Sequence, residues 1–156
     1  MNKKSEQYFE LCNKVCQKIA ETFGGNTAAG KYPPVERTVV LTWTAAGIIE
    51  NGGFRYLFGS VLPGDPHCSM AIEAFKEIHC IKAADALERA ICLFPDCTPH
   101  EDTAERIIWY EAQAENLRAQ LDSDFWNELD NITKCLGIYI VKYGLDQKYG
   151  HHGPEN

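Results

Sequence analysis

Two histidine–cysteine doublets, His67-Cys68 and His79-Cys80, carry the side chains most often found on zinc, and Cys92 and Cys97 add two further thiols. A zinc ion takes four convergent ligands in a tetrahedron, usually from tightly spaced positions. Positions 67 and 79 point about 120° apart around a helix at 100° per residue, and Cys92 and Cys97 straddle Pro95. His67 and Cys80 both project onto apolar stripes. This pattern favours buried structural thiols, and neither a metal nor any other cofactor is expected. The alternative is a small helical metal- or ligand-binding enzyme built on His67, Cys68, His79 and Cys80.

Other chemistry is weaker still. Gly25-Asn26-Thr27-Ala28-Ala29-Gly30-Lys31-Tyr32 approaches the phosphate loop G-x-x-x-x-G-K-[ST], but Tyr32 replaces the hydroxyl residue that would hold magnesium. A helix pattern precedes it where a strand is needed, and Pro33-Pro34 follow it, so it reads as a plain loop. A nucleophilic cysteine or serine would need a histidine in reach. The five histidines fall in no triad motif, two of them (His151, His152) lie in the C-terminal tail, and no Gly-x-Ser-x-Gly occurs. The expectation is a protein without enzymatic activity.

Seven cysteines, an odd number with no Cys-x-x-Cys pair, fit reduced thiols better than a secreted disulfide framework. Neither a signal-peptide segment nor an apolar run of about 20 residues is evident, so a cytoplasmic protein is expected. The net charge of −7 argues against nucleic acid as a direct ligand.

That charge is concentrated. Ten acids lie between Asp96 and Asp130, opposed only by Arg106 and Arg118, a net −8, while the rest of the chain is slightly positive. If residues 99–121 form one helix, Glu101, Glu105, Glu111 and Glu115 share an arc about 120° wide opposite its apolar face. The i,i+4 pairs 101/105 and 111/115 are like charges, each costing about 0.2–0.5 kcal/mol of helix stability. Successive carboxylates about 6 Å apart along the axis approach the spacing of phosphates on a nucleic-acid strand. Asp122, Asp124, Glu128 and Asp130 would extend the face. Ile108 and Trp109 stand within it or at its edge, as an apolar anchor at an interface would. Against this, acids in a first turn also satisfy the helix dipole, and acidic faces are commonly plain solvation.

The elements that must position these residues read as helices. Tyr8, Cys12, Val15, Cys16, Ile19 and Phe23 make one stripe, closed by Gly24-Gly25. Residues 26–36 read as a loop. Residues 38–50 form an apolar helix, which Asn51-Gly52 end with a left-handed cap. Gly53 then turns the chain tightly, so that Phe54, Tyr56, Leu57 and Phe58 return to the core. Asp65-Pro66 starts a helix with Ala71, Ala74, Phe75 and Ile78 inside; Ala83, Leu87, Ala90, Ile91 and Phe94 line the next. Thr98-Pro99-His100-Glu101 forms a capping box for the long helix, whose core face is Ile107, Tyr110, Ala114, Leu117 and Leu121. Asp122 or Ser123 then caps a last helix burying Phe125, Leu129, Ile132, Leu136, Tyr139, Ile140 and Tyr143, stopped by Gly144. This predicts a single all-α domain of about six or seven helices over residues 1–144, with a polar tail over 145–156.

Asn51-Gly52-Gly53-Phe54, the following Tyr56-Leu57-Phe58 and the helices through Tyr139-Ile140 resemble the DNA-mimic protein family, small acidic bacterial proteins mostly without an assigned role. The similarity spans roughly residues 35–143, although Gly59-Ser60 departs from the asparagine-serine expected there. It implies an all-α fold, a possible homodimer and no catalysis. In the founding members an acidic surface imitates duplex DNA and occupies a DNA-binding protein. The expected role is thus an interaction module whose acids face a basic protein, which the resemblance suggests is a regulator or nucleoid protein; a toxin-neutralising partner is equally compatible with those acids.

Overall fold

The computed structural model describes residues 3–25 and 28–150. Among them the α-helices are α1 (Lys3–Thr22), α2 (Pro34–Phe58), α3 (Ser69–Glu77), α4 (Ile81–Ile91), α5 (Thr103–Glu111), α6 (Glu115–Trp126), α7 (Leu129–Lys142) and α8 (Leu145–Tyr149), with short 3-10 turns at Ala29–Lys31 and Pro95–Cys97. No strand occurs among the described residues, and the helices enclose one main core with a small satellite cluster at Ala29, Leu41 and Ala74. The fold is all-α in a single domain, with eight α-helices in place of six or seven. No helix among the described residues is long and apolar enough to cross a membrane.

Helix α1 buries Cys12, Val15, Cys16 and Ile19, the heart of its predicted stripe, against α7, and Gly24 and Gly25 close it at φ +81° and +76°. Helix α2 is the hub, touching α1, α3, α5, α6 and α7. It begins at Pro34, two residues before the expected end of the loop, because proline is pre-set for a first helical position. Rings from four elements fill the centre. Phe54 and Phe58 of α2 meet Phe125 of α6, Tyr110 of α5 and Phe94, which precedes the Pro95–Cys97 turn, at centroid separations of 4.8–5.7 Å. Each fully buried phenylalanine contributes about 1.5–3 kcal/mol, so this cluster outweighs any single polar contact in the molecule.

The glycine pair neither ends α2 nor reverses the chain. It interrupts a helix that then resumes: Gly52 is extended at φ −164° and Gly53 takes φ +67°, ψ −167°. Asn51 remains helical, its side-chain amide donating to the Gly47 carbonyl at 2.8 Å. Beyond the break the Phe54 N–H donates to Asp122 Oδ1 of α6 at 2.8 Å, so a side chain from a distant helix caps the second segment. Gly53 is needed twice over. Its backbone lies in a region almost closed to other residues, and a Cβ there would meet the Asp122 carboxylate at 2.5–2.6 Å.

Further differences concern helix ends. Asp65 does cap α3, but from four residues ahead of it: Oδ1 accepts from the Met70 N–H at 3.0 Å and Oδ2 from the Ala71 N–H at 2.8 Å. The long helix expected over 99–121 is two, α5 and α6, broken at residues 112–114. Its start is capped by Asp102, which accepts from the Glu105 N–H at 3.0 Å, and not by Thr98. The break lets Arg118 Nε donate back to the Gln113 carbonyl at 3.2 Å. It also exposes Ala114 and Leu117, which are therefore not core residues. Asp122 and Ser123 lie inside α6, and α7 starts at Leu129.

The tail expected from residue 145 instead contributes α8, which buries Leu145 and Tyr149. Lys148 Nζ and Tyr149 Oη both donate to Glu36 Oε1, at 2.8 and 3.0 Å. Burial alone would raise the Glu36 pKa, but these bonds and a backbone one bring it below the ordinary carboxylate value. His151 and His152 lie outside the described residues.

Candidate functional site

The acids nominated from sequence divide into three groups. Glu111 closes α5 and Glu115 opens α6, while Glu101 precedes α5, so the four glutamates do not share one helix face. Glu111 Oε1 pairs with Arg55 Nε of α2 at 2.6 Å, raising the arginine pKa chiefly through that hydrogen bond. Asp124 accepts from Gln120 Nε2 at 2.7 Å and from Arg89 Nη2 of α4 at 3.0 Å, and these bonds hold it below the ordinary aspartate value. These two carboxylates are matched by cations from other elements.

Asp122 is half-buried and committed to the fold. Burial raises its pKa, opposed by the Phe54 N–H and by Arg118. It completes the broken helix, with one oxygen committed to the Phe54 N–H. Glu101, Glu105, Glu115 and Asp130 are exposed and outside every ion pair among the described residues. Glu128 is half-buried and accepts from Asn131 Nδ2 at 3.2 Å. Several of these acids stand at helix starts, Glu105 on α5, Glu115 on α6, Glu128 and Asp130 on α7, where the dipole favours them.

The arginines within the same segment turn inward. Arg106 is 2% exposed; its guanidinium donates to the carbonyls of His100 and Ser60. Arg118 lies over the Tyr110 ring at 5.7 Å while bonded to Gln113. The surface of this segment is thereby more acidic than its sequence, except where Arg55 and Arg89 reach it. Trp109 is tied down, donating to the Leu93 carbonyl at 2.7 Å beside the His100 ring, whereas Ile108 is 70% exposed.

The histidine–cysteine doublets do not converge. His67 Nδ1 lies 3.2 Å from the Pro99 carbonyl, Cys68 and Cys80 are buried, and His79 is exposed at φ +64°. Among the described residues no group of three or more His, Cys, Asp or Glu side chains could hold a metal ion. Burial pushes the Cys12 and Cys68 thiols up to about 12 and Cys16 to about 11, leaving them protonated and poor nucleophiles. Cys92 and Cys97 form a disulfide across the Pro95 turn, a correction to the expectation that all seven thiols are reduced. That turn brings the two α-carbons to 3.9 Å, with Asp96 and Cys97 both at positive φ.

The sequence reading missed Arg55 and Arg89 as partners of the acids, because each comes from a helix far along the chain. It also passed over Phe9, Trp43 and Gly47, which line a surface groove between α1, α2 and α7. Their signal was present: Phe9 falls off the α1 stripe, and Gly47 interrupts an otherwise apolar helix.

Compared with known protein families, residues 30–143 match the model of the DMP19-like proteins. The chain belongs to the DMP19-like protein family. The match begins just before α2 and ends just after α7, so it contains the Gly52-Gly53 break, its Asp122 cap and the whole acidic segment. Helix α1 precedes the matched region and α8 follows it. No curated protein and no solved structure matches the chain.

Proposed function

We propose that this DMP19-like protein is a non-catalytic interaction module that binds a basic protein surface of the kind DNA-binding proteins present, its carboxylates standing where phosphates would. The observation that carries this reading is the inward turn of Arg106 and Arg118, which leaves residues 101–130 presenting acids without counter-charges of their own. Membership of a DNA-mimic-type family supports it. Glu101, Glu105, Glu115 and Asp130 carry the interaction, with Glu128 beside them. Glu111 and Asp124, already paired, contribute less. Carboxylates opposite lysine and arginine steer association at long range and compete with DNA.

Charge-driven binding weakens as salt shortens the Debye length toward about 8 Å at physiological ionic strength. The test is capture from nuclease-treated lysate of the source cell, comparing wild type with a variant carrying Glu101→Gln, Glu105→Gln and Glu115→Gln. A basic DNA-binding protein should be retained by the wild type, released by moderate salt or by duplex DNA, and lost from the variant. Retention indifferent to all three changes would overturn the reading. Glu111→Gln, made separately, should alter capture little.

A further inference from the structure

The groove between α1, α2 and α7 encloses about 430 Å³. Phe9, Trp43, Leu129 and Ile132 line it together with Ala46 and Gly47 of α2. Phe9 meets Trp43 edge to face at 5.3 Å yet stays 43% exposed, so this aromatic pair is only half covered by the fold. Gly47 is the telling residue. Glycine is the least favourable helix-interior residue after proline, and here neither a positive φ nor a close neighbour demands it. A Cβ at Gly47 would meet nothing within 4 Å. What the missing side chain leaves is depth in the groove.

The charges at the groove say what suits it. Glu50 of α2 and Asp130 of α7 line it, both exposed and both outside every ion pair among the described residues. Among the described residues, the buried polar side-chain atoms without a partner (Thr42 Oγ1, His100 Nδ1 and Tyr110 Oη) belong to residues that do not line it, so none of these is aimed at a small polar ligand. An apolar cleft with carboxylates at its margin is complementary to an apolar side chain flanked by cations. Asp130 also belongs to the acidic segment, which makes the groove continuous with it.

We propose that the groove receives a leucine or phenylalanine from the basic partner, carried on a segment with lysine or arginine on either side of it. The acids would set charge complementarity, and the groove would select among basic proteins by the side chain they insert. This rests on the reading above that the partner is basic, and it adds a specificity site which that reading lacks.

The test uses the full chain and a synthetic peptide holding one leucine between lysine pairs, with binding followed by tryptophan fluorescence and by NMR shifts at the groove. Replacing the peptide leucine by alanine should weaken binding about tenfold or more, the scale expected from one buried leucine. Gly47→Leu should fill the groove and abolish binding while thermal unfolding shows an intact fold. A double variant, Glu50→Gln with Asp130→Asn, should weaken binding and flatten its salt dependence. Equal binding of the leucine and alanine peptides, or binding unchanged by Gly47→Leu, would overturn the proposal. So would a wild-type dimer that Gly47→Leu converts to monomer, because a second copy would then fill the groove. The leucine-to-alanine comparison and Gly47→Leu read the groove, while lysate capture by the Glu101, Glu105 and Glu115 variant reads the acids, so either idea can fail without the other.

Discussion

Helix α2 carries glycines at positions 47 and 53, and the protein treats them in opposite ways. At Gly53 the backbone enters a conformation that side chains disfavour, and the Asp122 carboxylate fills the space a Cβ would need. At Gly47 the helix is regular and a Cβ would meet only open space. One glycine is explained by contacts within the fold; the other is explained by nothing inside it. An interior cause makes a residue structural, whereas its absence points outward, and that is why Gly47 and not the conspicuous glycine pair marks a site.

Substitution at each position can break or sharpen that contrast. The largest effect should come from Gly53→Ala, which strains the backbone and displaces the carboxylate together, costing roughly 2–4 kcal/mol in denaturant unfolding. A neutral result would mean that the interruption of α2 is not fixed by Gly53. Next, Asp122→Ala removes the acceptor of the Phe54 N–H and should cost about 1–2 kcal/mol. Asp122→Asn keeps an acceptor without a buried charge and should cost less.

The pH dependence separates those two variants from wild type. Burial lifts the folded-state pKa of Asp122 above its ordinary 3.8. The folded chain therefore binds this proton at higher pH than the unfolded chain does. The contribution of Asp122 to stability is full below the unfolded value and is lost as pH rises through the raised one. Unfolding measured across that window should show this slope in wild type and lose it in Asp122→Asn. The smallest effect has the opposite sign: Gly47→Ala should raise stability by up to about 1 kcal/mol, since alanine is the better helix former and no neighbour stands in its way. Destabilisation there would show that Gly47 has an interior role after all.

The same distinction explains what the chain disclosed as a sequence. Local signals were legible: the α1 stripe ended at its glycines, Asp65 was recognisable as a cap, and Asn51-Gly52-Gly53-Phe54 with the helices behind it pointed to the family. The Gly52-Gly53 pair was correctly singled out, but its effect was misjudged, because the Asp122 that restarts the helix lies 68 residues away. The division into α5 and α6 carries no glycine or proline at residues 112–114, so no local signal announces it, and the bond from Arg118 to Gln113 forms only once the break is made. For the acids, composition located the charge but not its balance. Glu111 is matched by Arg55 across 56 residues and Asp124 by Arg89 across 35, while Arg106, counted against the acids in the sequence, donates to two carbonyls inside the protein.

The bond from Phe54 to Asp122 also has a consequence for the order in which the protein is made. A chain emerging from the ribosome can wind α2 as far as Asn51 from its own residues, but the acceptor that restarts the helix is not yet synthesised. The second segment, with Phe54 and Phe58, lacks both that acceptor and the Phe125 ring until α6 is made, and closing so long a loop is entropically slow compared with winding a helix. Nascent chains halted before residue 122 should therefore leave those phenylalanines uncovered. Completion of the hub helix is deferred until most of the domain exists, which ties the centre of the core to the last third of translation.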